Sequence, residues 1–465
     1  MPASRRPRIG LLGLMLALYD KSNPELKPAQ ARLARQMAKR LEAFADVTFP
    51  GICNTREQVA SAMAQFARAD VDLLVTVHLS YSPSLIAMPE LVRADLPLVL
   101  WNTQKITGVG PDFSSQDLLE NHGMHGVQDL ANTLRRVGRS YAVVTGHFED
   151  PVALGELQEW AQAALAVREL RSARIGLIGF PFQDMGDFGV DETAFVARFG
   201  PATVRVPLEM LADALASVSK SQAQAVVKQD RANYRVDPAL TGPEHLASAR
   251  IELALREVVA AMNLSGLSIH YEPLGGDSRF SALPFAAVSK LMAEGVGFGG
   301  EGDVTSAAAC ILMDRLCGSA SFTEMFTMDF DDNAVYMAHF AEANPTLAKS
   351  EAKPRLVRRE GWVGSGGVSA SLAFAMQPGE ATLINVTTGP DGRPQVITTK
   401  VEVLDFELPD YPTPHLKARP PMPLARFLNA YASLGGTHHL ALSYGNAVPS
   451  VQKAARVLDI ECHVI

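Results

Sequence analysis

Up to Phe298 the chain alternates short apolar runs with helix-like stretches, and few folds tolerate that pattern. Arg8–Leu16 is a strand candidate, and Ala29–Phe44 is an amphipathic helix with Leu33, Met37 and Leu41 along one face. Val47–Phe49, Leu73–Val77, Leu98–Trp101 and Tyr141–Thr145 are further strand candidates, with Arg56–Ala69 and His125–Val137 as helices among them. Such βα alternation predicts an open, largely parallel sheet with helices on both faces. Ligands of these folds sit beyond the carboxyl ends of the strands. The loops there carry His78, Asn102-Thr103-Gln104 and Gly146-His147. A second alternating block starts at Arg174–Gly179 and runs through Thr203–Val206, Gly266–His270 and Val296–Phe298, with Gly242–Met262 helical. Gly176 and Gly179 do not complete a GxGxxG run, so no dinucleotide site is expected.

Beyond Asp331 the texture changes. Strand candidates become Gly366–Phe374, Ala381–Thr387 and Gln395–Leu404, and Gly389-Pro390-Asp391-Gly392 has hairpin chemistry. An antiparallel, barrel-like domain is expected. The organisation read here is an α/β domain over 1–172, a central α/β domain over 173–330 with Glu301 and Glu324, and a β-rich domain over 331–465 with His339 and His439.

Composition narrows the function. A net charge of −8 without a basic block argues against nucleic acid as a partner. No apolar run reaches membrane-spanning length. Arg5–Leu18 faintly imitates a signal peptide but lacks a small-residue cleavage site, and a buried first strand fits it better. Cys53, Cys310, Cys317 and Cys462 form no CxxC pair, which suits reduced thiols in the cytoplasm.

The chemistry centres on Glu301, within Gly297-Phe298-Gly299-Gly300-Glu301-Gly302-Asp303. Glycines let a carboxylate on such a turn approach a metal or substrate, yet an acid there is more often a helix N-cap. Glu324 lies among Phe322, Met325 and Phe326, a dry setting that suits proton transfer, or else it is a surface glutamate. Taken alone, His339 reads more readily as a satisfied core histidine than as a ligand. Of His438-His439, after two glycines, only one can serve a given site. Two carboxylates with histidines make a mixed O/N set suited to Mn²⁺, Co²⁺, Fe²⁺ or Zn²⁺.

Leu291–Asp303 resembles the GFGxEGD metal segment of L-arabinose isomerases, and Ser321-Phe322-Thr323-Glu324 is similar to that family's SFMED segment. Ala338-His339 lies where the family has GAH, and Gly435–His439 resembles its GGAHHT. Asn121–Gly126 resembles NQTAHG, and Tyr271–Gly276 resembles the FEDL-containing strand end. The resemblance implies an aldose–ketose isomerase with Mn²⁺, or another divalent metal such as Co²⁺, on Glu301, Glu324, His339 and His439. Glu301 and Glu324 would also be the catalytic acid/base pair. His122, His125, Tyr271 and His438 would bind a monosaccharide, though His438 and His439 could exchange roles. It further implies a cytoplasmic homohexamer whose Asn121–Gly126 loop completes a neighbour's site. The family's GSQHLYG is replaced by Gly13–Asp20, and Phe180–Gly189 also departs from the family. A non-catalytic sugar-binding protein, or a metal-dependent epimerase or hydrolase acting on a sugar acid or polyol, are the alternatives that these changes leave open.

Overall fold

The structure, a computed structural model, describes residues 5–351, 353–360 and 367–465. The chain forms two compact units, one over Pro2–Arg168 and one over Glu169–Ile465. The boundary falls inside the helix Pro151–Arg171.

The N-terminal unit is built on strands β1 (Arg8–Leu14), β2 (Asp46–Thr48), β3 (Ile52–Cys53), β4 (Leu73–His78), β5 (Leu98–Asn102) and β6 (Ala142–Thr145). All pair in parallel in the order β2-β1-β4-β5-β6, with β3 also on β1. Both faces are covered, so β1 and β4 are almost continuously apolar. Leu12, Leu14, Leu74 and Leu100 meet Phe66, Val127 and Leu130 from the covering helices. Gly10 is required at that contact, because a Cβ there would lie 2.8 Å from the Phe66 ring.

The second unit opens with β7 (Arg174–Ile178), β8 (Ala202–Val206), β9 (Arg235–Val236), β10 (Gly266–Ile269) and β11 (Gly297–Gly300). Of these, β11-β10-β7-β8 form a parallel sheet. The strands that follow are β12 (Ser321–Asp329), β13 (Ala334–Ala338), β14 (Arg355–Glu360), β15 (Val368–Ala373), β16 (Gly379–Thr388), β17 (Pro394–Val403), β18 (His415–Arg419), β19 (His439–Tyr444) and β20 (Glu461–Val464). The order β16-β19-β12-β13-β18-β17 closes on itself through the β16–β17 pairing, giving an antiparallel barrel with β20 alongside β17. Closure removes the exposed edges that an open antiparallel sheet would present. Strands β14 and β15 pair with each other, and β9 joins β14.

The fold class matches the sequence reading: parallel α/β sheets followed by an antiparallel barrel. Two details differ. The strand Ser321–Asp329, with Glu324, belongs to the barrel, so sheet pairing begins ahead of residue 331. Its run of β-branched and aromatic residues supplies a wall between β13 and β19 that closure needs. The strand expected over Gly366–Phe374 is Val368–Ala373, and Gly366 lies outside the described residues. Among the described residues no helix is long and apolar enough to cross a membrane.

Candidate metal centre

Where β11 ends, the backbone turns sharply. Asp303 N–H donates to Gly300 O at 2.8 Å, and a Cβ on Gly299 would lie 2.0 Å from Asp303 O, so only glycine fits at 299. It is Asp303, not Glu301, that caps the helix Val304–Cys317: its Oδ1 accepts from Thr305 N at 2.9 Å and Ser306 N at 3.1 Å. The common reading of an acid in this run is therefore satisfied by a different residue. Glu301 is left in the left-handed region, with φ +59°. Such a conformation costs of order 1 kcal/mol or more for a residue with a Cβ and persists where neighbours impose it. Here Glu301 N–H donates to Ile269 O at 2.9 Å, and Glu301 O accepts from Phe182 N at 2.8 Å.

The barrel brings the other groups. Glu324 on β12 registers directly opposite His439, the first residue of β19. His439 is fully buried, its ring stacked on Phe188 at 4.7 Å and edged by Phe322 at 4.9 Å. Its Nδ1 lies 3.2 Å from Asp303 Oδ2. Burial works against the Asp303 charge, but His439 and the capping donors hold that carboxyl below the usual range. An ionised carboxylate only accepts, so Nδ1 carries the proton. Burial also pushes the His439 pKa down, against the pull of Asp303. The ring is then neutral and Nε2 has a free lone pair, buried and without a hydrogen-bond partner.

His339, one residue past β13, is also backed by a carboxylate, but its ring, unlike that of His439, is held in the charged form and would give up its Nε2 proton on binding a metal. Its Nδ1 meets Glu342 Oε2 at 2.6 Å, and the two rings, His339 and His439, are 5.3 Å apart. Burial would lower the His339 pKa, but the Glu342 carboxylate outweighs it and raises it to about 9. Gly300 makes room for this ring: a Cβ there would sit 2.8 Å from both Cε1 and Nε2. Ligand atoms of Glu301, His339 and His439 lie within 4.8 Å of one another, as do those of Glu324, His438 and His439. Burial raises the Glu324 pKa, opposed in part by His339. His438 does not turn away from His439, as adjacent histidines on a turn are expected to: the two rings lie 4.4 Å apart and both touch Phe188, but His438 meets a different carboxylate, Asp187 Oδ2, through Nδ1 at 2.9 Å.

Profiles of the L-arabinose isomerase N-terminal, central and C-terminal domains match residues 18–172, 183–318 and 319–461 respectively. The chain belongs to the L-arabinose isomerase family. It is a divergent member. It is 28% identical over 405 residues to the L-arabinose isomerase of Geobacillus kaustophilus, covering 84% of this chain and 80% of that one. The Klebsiella pneumoniae enzyme is 28% identical over 408 residues, covering 84% and 80%. That of Geobacillus stearothermophilus is 26% identical over 434 residues, covering 90% and 86%. L-arabinose isomerases are aldose–ketose isomerases, a class of intramolecular oxidoreductase, and the chain is an enzyme of that class.

The donor set suits the metal dependence of the L-arabinose isomerase family. Carboxylate oxygens and imidazole nitrogens favour a first-row divalent cation, and the orphaned His439 Nε2 gains a partner only if something occupies the space before it. A carboxylate behind each ring is the usual support of a metal-ligating histidine.

Among the expected sugar-binding residues, Tyr271 opens the short helix after β10, its ring edging Phe285 at 4.7 Å. Burial, with the Glu342 charge added, raises its pKa far above the usual phenol value. The two groups face each other, yet neither Tyr271 Oη nor Glu342 Oε1 completes a hydrogen bond of good geometry. His122 and His125 belong to the N-terminal unit, where their rings meet at 2.5 Å through Nε2 and Nδ1. Gly123 and Gly126 seat that segment on His78: a Cβ at Gly123 would lie 2.3 Å from its backbone O, and one at Gly126 would lie 2.2 Å from its Cδ2. Sequence reasoning missed Asp303, Glu342, Asp187 and Phe188. For Asp303 a signal existed, since an Asp directly before a helical run is an N-cap signature. For the other residues there was none.

Proposed function

We propose that the protein is a divalent-metal-dependent aldose–ketose isomerase of a monosaccharide, with Glu301, Glu324, His339 and His439 as metal ligands. The observation that carries this reading is that His439 lies within ligand reach both of Glu301 and His339 and of Glu324, with a carboxylate behind each of the two buried rings. Mn²⁺ or Co²⁺ held there would polarise a sugar carbonyl and acidify the neighbouring C–H.

The chain's own residues supply the rest. Burial raises the pKa of the Glu324 carboxyl, which suits it to hold a proton while Glu301 takes one. The proton leaves one carbon and returns to its neighbour through an enediol. Asp303 and Glu342 fix the imidazoles of His439 and His339, and Phe188 and Phe322 keep water from their rings. His438 and Tyr271 orient sugar hydroxyls. His122 and His125 do so from a neighbouring copy in a homohexamer. The cytoplasm suits the four cysteines, all free thiols.

The test is product analysis after incubating the Mn²⁺-loaded protein with a panel of aldoses, ketoses and uronates, beside Glu301→Gln. Interconversion of one aldose–ketose pair, slowed by about 10²–10⁴-fold in the variant, is expected. No product from any sugar, or a variant as fast as the parent, sinks the reading. Activity confined to the oligomer peak in gel filtration tests the shared site.

A further inference from the structure

The segment Phe180–Gly189, which departs from the family pattern, lies directly against the site. It is anchored at its start, where His270 Nδ1 donates to Phe180 O at 3.1 Å and Phe182 N–H reaches Glu301 O at 2.8 Å. A Cβ on Gly302 would lie 2.4 Å from Pro181 Cα, so the segment and the Glu301 turn are in close backbone contact. It is anchored at its end by Asp191, whose Oδ1 caps the helix Glu192–Arg198. Between these anchors the single turn Gly186–Phe188 places two side chains on the histidine pair. Phe188, 1% exposed, stacks on His439. Asp187 takes His438 Nδ1 at 2.9 Å, and both side chains stay about one-third open, at 35% and 32%.

The two adjacent histidines thus have different carboxylate partners, Asp303 for the buried ring and Asp187 for the open one. An open ring on a glycine-flanked turn can rotate unless something holds it. We propose that Asp187 is a positioning residue that sets sugar specificity: it holds Nδ1–H of His438, so that the ring offers Nε2 as an acceptor to one hydroxyl of the substrate. A hydroxyl of the opposite configuration at that carbon would leave Nε2 unmatched. Recognition of this kind discriminates through polar groups left unpaired. The inference rests on the isomerase reading for its substrate class, but not for the Asp187–His438 contact itself.

The experiment compares the full chain with Asp187→Asn and Asp187→Ala. With Mn²⁺ loaded, kcat and KM are measured on L-arabinose and its epimers. A charge-assisted hydrogen bond corresponds to roughly tenfold in binding. The expected loss is therefore roughly tenfold in kcat/KM, mostly through KM, with a changed ratio between epimers and unchanged Mn²⁺ affinity by paramagnetic resonance. Unchanged epimer ratios, or Mn²⁺ affinity lost in step with activity, overturn the proposal. NMR of histidine-labelled, metal-free protein, with the His438 signals assigned through His438→Gln, reads the ring directly. The parent is expected to hold the Nδ1–H tautomer and Asp187→Ala to lose it; one tautomer in both overturns the proposal. If the parent turns over no sugar, the isomerase reading fails, while the ring signals still decide what Asp187 does.

Discussion

Asp303→Asn separates two roles that one side chain combines. In the parent, Oδ1 caps the helix Val304–Cys317 through Thr305 N and Ser306 N, and also accepts from Thr305 Oγ1 at 2.6 Å. Oδ2 faces His439 Nδ1 at 3.2 Å. An asparagine can keep its carbonyl at the cap, where Asn serves about as well as Asp. Its amide NH₂ then stands against His439 Nδ1. Two donors cannot face each other, so the imidazole must put its proton on Nε2 and accept through Nδ1. The lone pair that Nε2 directs at the cage is lost. Mutating such a supporting carboxylate typically weakens metal affinity by about 10–100-fold, and that is the expected loss for Mn²⁺.

Stability should respond differently. With cap and ring both still bonded, Asp303→Asn should change unfolding free energy little. Asp303→Ala removes the cap, about 1 kcal/mol, and leaves buried His439 Nδ1 unpaired, a further ~1–3 kcal/mol. The assays are Mn²⁺ titration followed by paramagnetic resonance, and urea unfolding of the metal-free proteins. Parent-like Mn²⁺ affinity in Asp303→Asn would refute the argument that the Asp303 carboxylate sets the His439 tautomer. Equal loss of affinity and stability in both variants would show Asp303 to be a cap and nothing more.

Gly300→Ala should abolish or strongly weaken Mn²⁺ binding while far-ultraviolet dichroism stays unchanged, because the added Cβ lies 2.8 Å from His339 Nε2 and the ring must move. Saturating Mn²⁺ should raise the melting temperature, with chelator reversing it. The gain is roughly 2.7 kcal/mol at a hundredfold excess over Kd, and His439→Gln should erase it. Away from the site, Lys290 Nζ bridges buried Asp230 and Glu252, at 2.5 Å each. Lys290→Met leaves Asp230 with only His245 and Glu252 with only Arg256 as partners, so a loss towards the lower end of about 3–5 kcal/mol in urea is expected, and near-zero loss would contradict the pairing. Burial alone would raise the Asp230 pKa, but His245 and Lys290 hold it below 3.8. A depressed carboxyl contributes stability above its unfolded value that is lost as pH falls through the folded one. Lys290→Met should therefore move the acid transition to higher pH, as read from melting temperature against pH.

The sequence shows the sheets well, because a fully covered parallel strand has to be apolar throughout and the runs Arg8–Leu14 and Leu73–His78 are. It shows the site less well, because the site is made by pairings between remote segments. Asp303 and His439 are 136 positions apart, and Asp187 and His438 are 251 apart. Nothing near Asp187 marks it as a partner for histidine; its neighbours Gly186 and Phe188 spell only a turn. Glu342 is closer, following His339 by three residues, but it meets the ring only because the chain leaves β13 and doubles back there. The Glu301 turn was legible as unusual, yet its neighbour Asp303 takes the cap. Local rules tell that one acid of the run must bond the free N–H groups; which acid does so is decided by the backbone geometry of the turn.

That division of labour explains why adjacent histidines can serve one site in different ways. His439 begins β19, pairs in register with Glu324 and meets the buried Asp303; His438, one position ahead of the strand, keeps its ring 4.4 Å from that of His439 but stays one-third open and meets Asp187. A one-residue slip of β19 against β12 would exchange them, placing a ring backed by the wrong carboxylate opposite Glu324. The slip is resisted by the rest of the barrel: β19 also pairs with β16 through Ala381–Tyr444 and Ile384–Ala441, and Asn385 Nδ2 bonds both Thr437 Oγ1 at 2.6 Å and His439 O at 2.8 Å. Barrel closure therefore does more than bury apolar strands. It fixes the register that decides which histidine is sealed inside and which remains open to a ligand.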